Sequence, residues 1–240
     1  MIRTLPVACL IALGAAAGAQ AQTDNADHAS PRAARNSYAN PSAVIASELA
    51  FAQAAQDKGQ WTAFAQFAAP DAVIFVPQMA YAQEWLKGRA NPAAAVAWQP
   101  HEVWSSCDGS LMVSHGAWHK GSANGWFTTI WQRQPKGDYK WVLDHGDDLA
   151  QPLPTPEMIA GHVADCPDRG RAPGRPQASA AKPPKVLPPL DPAHRSGKAN
   201  DNSLSWHVTV DPSGARKLVI TWRHDGADAV ALSEQVTGKD

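Results

Sequence analysis

The sequence predicts an α+β domain in which three N-terminal helices pack on one face of a curved antiparallel sheet. Two observations carry the prediction. Apolar residues recur at helical spacing early in the chain, and four strand-like runs then follow one another between residues 101 and 145. The turns between those runs are short and contain glycine, which joins neighbouring strands as hairpins, and helices that precede such a meander cover one of its faces.

The elements follow in order. Residues 1–21 read as a secretory signal: Met-Ile-Arg, the apolar run "LPVACLIALGAAAG" and the small-x-small site Ala19-Gln20-Ala21. The run is shorter than the roughly 20 apolar residues of a membrane span, so the expectation is an exported protein, periplasmic or secreted, that loses Cys9 with its leader and has no membrane partner. Residues 22–39 lack periodicity and read as a disordered lead. The domain proper is expected over residues 40–150. Asn40-Pro41 is a cap followed by a first-turn proline, Ile45, Leu49 and Ala52 share one helical stripe, and Gly59 stops the helix. A second short helix carries Trp61, Phe64 and Ala68 and ends at Pro70. "DAVIFVP" is a strand closed by Pro77. The stretch "QMAYAQEWLKGR" reads as a loop, and Asn91-Pro92 opens a third helix that finishes before Pro100. "HEVWSSC", "LMVSHGAWHK", "WFTTIWQRQ" and "YKWVLDH" are the meander strands, joined by "DGS", "GSANG" and "PKGD".

From residue 151 the composition shifts to proline, and 151–203 read as an extended tether. In 204–240, Trp206, Val208 and Val210 alternate with polar residues, "DPSG" turns the chain, and Leu218, Ile220 and Trp222 alternate again. Two strands alone are marginal in water, so this terminal β-hairpin is expected to dock on the main domain or on a second subunit.

Composition excludes several functions. Lys+Arg number 21 and Asp+Glu 22, which leaves no field to gather nucleic acid or anionic lipid. No phosphate-binding glycine loop, dinucleotide fingerprint or nucleophile elbow is present, so no cofactor is expected. Beyond the leader only Cys107 and Cys166 remain, an even pair in an oxidising compartment, which predicts a disulfide, with two buried thiols as the alternative. Without CxxC spacing the pair makes no zinc site.

Ten tryptophans are present, eight of them between Trp61 and Trp141. They either fill the core or line a cavity for an apolar or cyclic ligand; Trp98, Trp118 and Trp131, with Tyr81 of the preceding loop, are the candidate ligand contacts. His115 and His119 lie four apart, but along a strand that separates them by roughly 13 Å, too far for one ion, and no metal is expected. Asp144 and His145 point to opposite faces of their strand and form no dyad. Asp144 alone is a candidate: among aromatic groups its pKa rises, and it then serves as a general base or a neutral donor, unless it is an ordinary strand-edge residue. Asp147 and Asp148 read as solvated turn residues.

Thr129, Trp131, Arg133, Gly137, Tyr139, Lys140 and Asp144 reproduce the pattern T-x-W-x-[RK]…G-x-[WY]-K-x-x-x-D. With the element order over residues 41–149, this resembles the nuclear transport factor 2-like superfamily, in its exported branch close to SnoaL-like polyketide cyclases and ketosteroid isomerases. The resemblance implies a cone-shaped fold around one pocket, commonly in a homodimer. The isomerase pattern needs an Asp base with a Tyr and a protonated Asp as donors. Here the first helix offers Glu48 and no tyrosine, so that triad is not recovered. The expectation is a small-molecule-binding domain with an aromatic-lined pocket. The alternative is a cofactor-independent cyclase, isomerase or lyase with Asp144 as base and His115 as proton partner. A third reading is an interaction module whose terminal hairpin adds to a partner's sheet.

Overall fold

A computed structural model describes residues 39–166 and 186–238. The predicted leader, nearly all of the predicted lead and residues 167–185 of the predicted tether lie outside the described residues. Among those described, no helix is long and apolar enough to cross a membrane.

The first two helices form, α1 at Pro41–Lys58 and α2 at Gln60–Phe67, but the expected stripe of Ile45, Leu49 and Ala52 is not the face that α1 buries, Leu49 being exposed, and Ala68 and Pro70 already belong to the first strand. The stripe that α1 buries is Val44, Glu48, Phe51 and Ala55, at the four- and three-residue steps of one helical face. Gly59 separates the helices with φ +97°, a conformation that favours glycine.

The third helix is displaced. Residues 91–96 are not helical, and Asn91 instead caps α2 from across the fold: its Oδ1 accepts the backbone N–H groups of Trp61 at 2.8 Å and Thr62 at 3.1 Å, while Nδ2 donates to Thr62 Oγ1. A Cβ on Gly59 would collide with that side chain, so the cap requires glycine there for space as well as for φ. The sequence signal for a cap was therefore sound, but its helix lies 30 residues upstream. The actual α3, Ala82–Leu86, sits in the predicted loop and is too short to show a period.

The meander forms as expected from β3 (Ala97–Ser105), β4 (Leu111–Lys120), β5 (Ala123–Arg133) and β6 (Tyr139–Leu149), each antiparallel to the next. The whole sheet is mixed rather than antiparallel. β1 (Ala68–Phe75) runs parallel to β6, and β7 (Ala160–Val163) runs parallel to β3, giving the order β2-β1-β6-β5-β4-β3-β7 with β2 at Met79–Tyr81. Long connections place these two strands beside non-consecutive partners, which no local pattern reports. β6 also continues past His145, so Asp147 and Asp148 are strand residues and not part of a turn.

The terminal hairpin is present as β9 (Leu204–Val210) and β10 (Arg216–His224), but it belongs to a four-stranded antiparallel sheet with β8 (His194–Lys198) and β11 (Ala227–Val236) outside it. The proline-rich stretch thus supplies two strands, β7 and β8. "HRSGK" contains no apolar residue, so alternation could not reveal it. The second sheet docks on the domain: Leu204, Trp206, Val208, Leu218 and Ile220 are buried in one core with Trp131, Trp141 and Leu143 of the large sheet. Burying a side chain of this kind contributes roughly 1.5–3 kcal/mol, so the docked face supplies what an isolated hairpin lacks. Cys107 and Cys166 form the predicted disulfide, tying the end of β3 to the segment after β7.

Candidate functional site

Cross-strand register builds two polar rows on opposite faces of the large sheet. Ser114 pairs with Thr129 and Thr129 with Asp144, while His115 pairs with Thr128 and Thr128 with His145. Alternation turns the first row towards the helices and the second towards the small sheet.

On the helix side, Glu48 of α1 is fully buried and accepts hydrogen bonds from Trp98 Nε1 at 2.7 Å, Trp131 Nε1 at 2.9 Å and Ser114 Oγ. Burial pushes its carboxyl above the ordinary range, against the pull of those three donors. Asp144 is half-buried and accepts from Thr129 Oγ1 at 2.9 Å. Desolvation raises its pKa to about 7; the Thr129 bond opposes the rise and the nearby Glu48 charge adds to it.

On the other side, Glu234 of β11 reaches under the sheet. Both its carboxylate oxygens accept from Thr128 Oγ1, at 2.9 and 2.8 Å, and His115 Nδ1 lies 2.9 Å from Oε1. Arg216 Nε donates to His145 Nδ1 at 2.9 Å, and Arg216 Nη2 donates to Gly146 O. Burial, then the Arg216 and His115 charges, lower the His145 pKa to about 3, so its imidazole is neutral. Since Nδ1 accepts, its proton sits on Nε2, 3.7 Å from Glu234 Oε2. These groups clamp one sheet to the other.

A cavity of about 440 Å³ opens where β6 runs on past its last pairing with β1, Val73 with Leu143. Trp61 and Phe64 of α2, Trp85 of α3, and Trp118, Trp126 and Phe127 of the meander line it, with Asp144 in the wall. Arg216 of β10 and Ser213 and Gly214 of the turn before it line it too. A chamber of about 160 Å³ adjoins it and shares Gln60, Phe64, Trp118, Phe127 and Asp144. Gly125 makes room for Trp118, whose indole a Cβ there would strike.

The structure divides the sequence candidates. Trp118 and Asp144 line both chambers, and Trp98 lines the smaller one. Trp131 is fully buried in the core, in an aromatic cluster centred on Phe51, and touches neither chamber. Tyr81 is also removed, its hydroxyl donating to Pro188 O at a separate depression formed with residues 186–190. His115 stands on the sheet face opposite Asp144 and is bound to Glu234, so it is no proton partner for that carboxyl. Trp61, Trp85, Trp126 and Arg216 were missed. The first two come from helices, and no strand alternation could place them beside Asp144. Among the described residues, no group of three or more His, Cys, Asp or Glu is placed to hold a metal.

No family model matches the chain, and no curated protein matches it. Solved structures that it resembles include a proposed ketosteroid isomerase from Parabacteroides distasonis, at 14% identity over 48% of this chain and 98% of that one, TM-score 0.37. Others are a DUF3225-family protein of unknown function from Pectobacterium atrosepticum (13% identity, 46% and 91%, TM-score 0.38) and a proposed aromatic ring hydroxylase from Novosphingobium aromaticivorans (16%, 47% and 91%, TM-score 0.34). Likeness at this level transfers neither a substrate nor a catalytic residue.

Proposed function

We propose that the protein binds a small, largely apolar cyclic molecule in the cavity beside β6, with Asp144 as its main polar contact. The observation that carries this reading is the half-buried Asp144 carboxyl, raised to about 7 by desolvation, in a wall that sets seven Trp and Phe side chains beside the polar Gln60, Gln78, Asp147, Asp148 and Arg216. Binding sites combine apolar and aromatic walls with a few placed polar groups, and about 440 Å³ falls within the roughly 300–1,000 Å³ they usually occupy. Near neutral pH, Asp144 can donate from its protonated form or accept from its ionised form. The same pKa suits a general base, which favours proton abstraction by Asp144 as the second reading, now without His115. The Cys107–Cys166 disulfide supports an oxidising compartment, and together with the expected leader of residues 1–21 it supports the reading of a periplasmic or secreted protein.

Native mass spectrometry of protein recovered from its own host tests the reading. A releasable mass of a few hundred daltons, weakened at least about tenfold in Trp118→Ala, is the expected result. Retention of that mass by both Trp118→Ala and Asp144→Asn places the ligand elsewhere. A turnover found for the ligand and abolished in Asp144→Asn, with binding kept, favours the second reading.

A further inference from the structure

We infer that the ligand is an amphiphile, a single benzene-sized ring seated in the inner chamber and joined to a neutral, hydroxyl-bearing group in the outer one. The inference rests on the proposed binding function, keeps its apolar ring and adds to that ring a hydroxylated half.

The two chambers differ in what they offer. Phe51, Val96 and Trp98 line the part of the inner chamber that the outer one does not share. Trp98 has already given its only N–H to Glu48, at 2.7 Å, so all three side chains present carbon. At about 160 Å³ this chamber takes one small ring, since an apolar protein cavity of about 150 Å³ holds a single benzene molecule. Gln60 and Asp144 line both chambers, which puts these polar groups at the junction, beside the atom that joins the two halves of the ligand. Gln60 is fixed there, its Oε1 accepting the Val96 N–H at 3.1 Å.

The outer chamber, about 440 Å³, mixes rings with polar groups of both senses. Gln78 and Thr237 each donate and accept, Asp147 accepts and Arg216 donates. A hydroxyl likewise does both, so a group that bears hydroxyls finds partners across such a lining, whereas a lone carboxylate or ammonium meets groups of the wrong sense. Charge gives an ion no advantage here. The Asp147 carboxylate acts on the Arg216 guanidinium, Asp148 has a partner, and near pH 7 Asp144 is partly neutral. Trp61 and Trp126, half-buried in the same wall, offer ring surface to the C–H bonds between the hydroxyls.

The test is isothermal titration calorimetry of the disulfide-intact protein at pH 7. The probes are phenyl β-glucopyranoside, phenyl β-galactopyranoside and 3-phenoxypropane-1,2-diol. They are set against anisole, which has the ring alone, and methyl β-glucopyranoside, which has the hydroxyls alone. At least one of the three probes is expected to bind about tenfold or more tightly than either half. Its 2-naphthyl counterpart should bind about tenfold more weakly, because two fused rings exceed the inner chamber. Val96→Phe, which fills that chamber, should weaken the best probe at least about tenfold and leave methyl β-glucopyranoside unaffected. The double variant Gln78→Ala, Thr237→Ala should bring the best probe towards anisole and leave anisole unaffected. Should Val96→Phe fail to fold, the naphthyl comparison on the unaltered protein decides the seating of the ring. Anisole binding as tightly as every hydroxylated probe overturns the inference and leaves the binding function standing. A naphthyl compound that binds as tightly as its phenyl counterpart does the same, because the ring is then not held in the inner chamber. Failure of all the probes also overturns the inference, and the native mass of protein recovered from its host then shows separately whether the binding function falls with it.

Discussion

Replacing Asp144 by asparagine is expected to stabilise the protein above neutral pH. The folded-state pKa of Asp144 is raised from 3.8 to about 7, with desolvation the main cause. An acid whose pKa is raised on folding is best tolerated below its unfolded value, and stability is lost as pH rises from 3.8 through about 7. At about 1.4 kcal/mol for each pH unit, the full cost of ionising the group in place is about 4 kcal/mol. Water on the cavity side screens part of that, so about 2 kcal/mol is the working figure. Asparagine keeps an oxygen for Thr129 Oγ1, occupies nearly the same volume and does not titrate. Urea unfolding at pH 3.5, 5, 7 and 8.5, with the disulfide intact and the slopes compared, measures the difference. The variant should match wild type at pH 3.5 and exceed it by about 2 kcal/mol at pH 8.5. A difference that does not change with pH, or a less stable variant at pH 8.5, would falsify the assignment of Asp144 as a desolvated acid.

Glu48→Ala removes the acceptor from two indole N–H groups and one hydroxyl at once. At about 1–3 kcal/mol for each orphaned donor it should cost about 4 kcal/mol or more, with Glu48→Gln costing clearly less; equal losses in thermal unfolding would refute the hydrogen-bond account. Asn91→Ala should cost about 1–2 kcal/mol through lost capping of α2, and an unchanged Tm would show that the cap contributes nothing. Reduction of Cys107–Cys166, which spans 59 residues of sequence, should cost about 4 kcal/mol in the chain-entropy model, read as a lower urea midpoint. A reduced protein with the oxidised midpoint would count against that model here.

Legibility followed the range of the interaction. Helix α1, its glycine stop and the four meander strands were readable because period and turn chemistry act within a few residues. The opposite facing of Asp144 and His145 was readable for the same reason, since a strand alternates whatever it packs against. The capping role of Asn91 was not, because a side chain can cap any helix end that the fold brings to it. Nor was the role of Glu48, whose burial depends on Trp98 and Trp131 arriving from strands 50 and 83 residues away. Glu234 shows the limit most clearly. Nothing in "ALSEQV" marks it, yet it joins Thr128 across 106 residues, and His115 on the next strand with it.

By itself, then, the sequence determined an α+β chain with two cysteines able to pair, an aromatic surplus and one carboxyl placed to be unusual. Tertiary structure decided which indoles became core and which became wall: it left Trp131 and Tyr81 out of the cavity lining and put His115 on the sheet face opposite Asp144. It also decided that the C-terminal sheet completes the cavity through Arg216. The physical reason is that local steric rules act on φ, ψ and alternation, whereas a cavity is the space left among elements remote in sequence. Its lining depends on strand register and helix docking, which only the packed chain specifies.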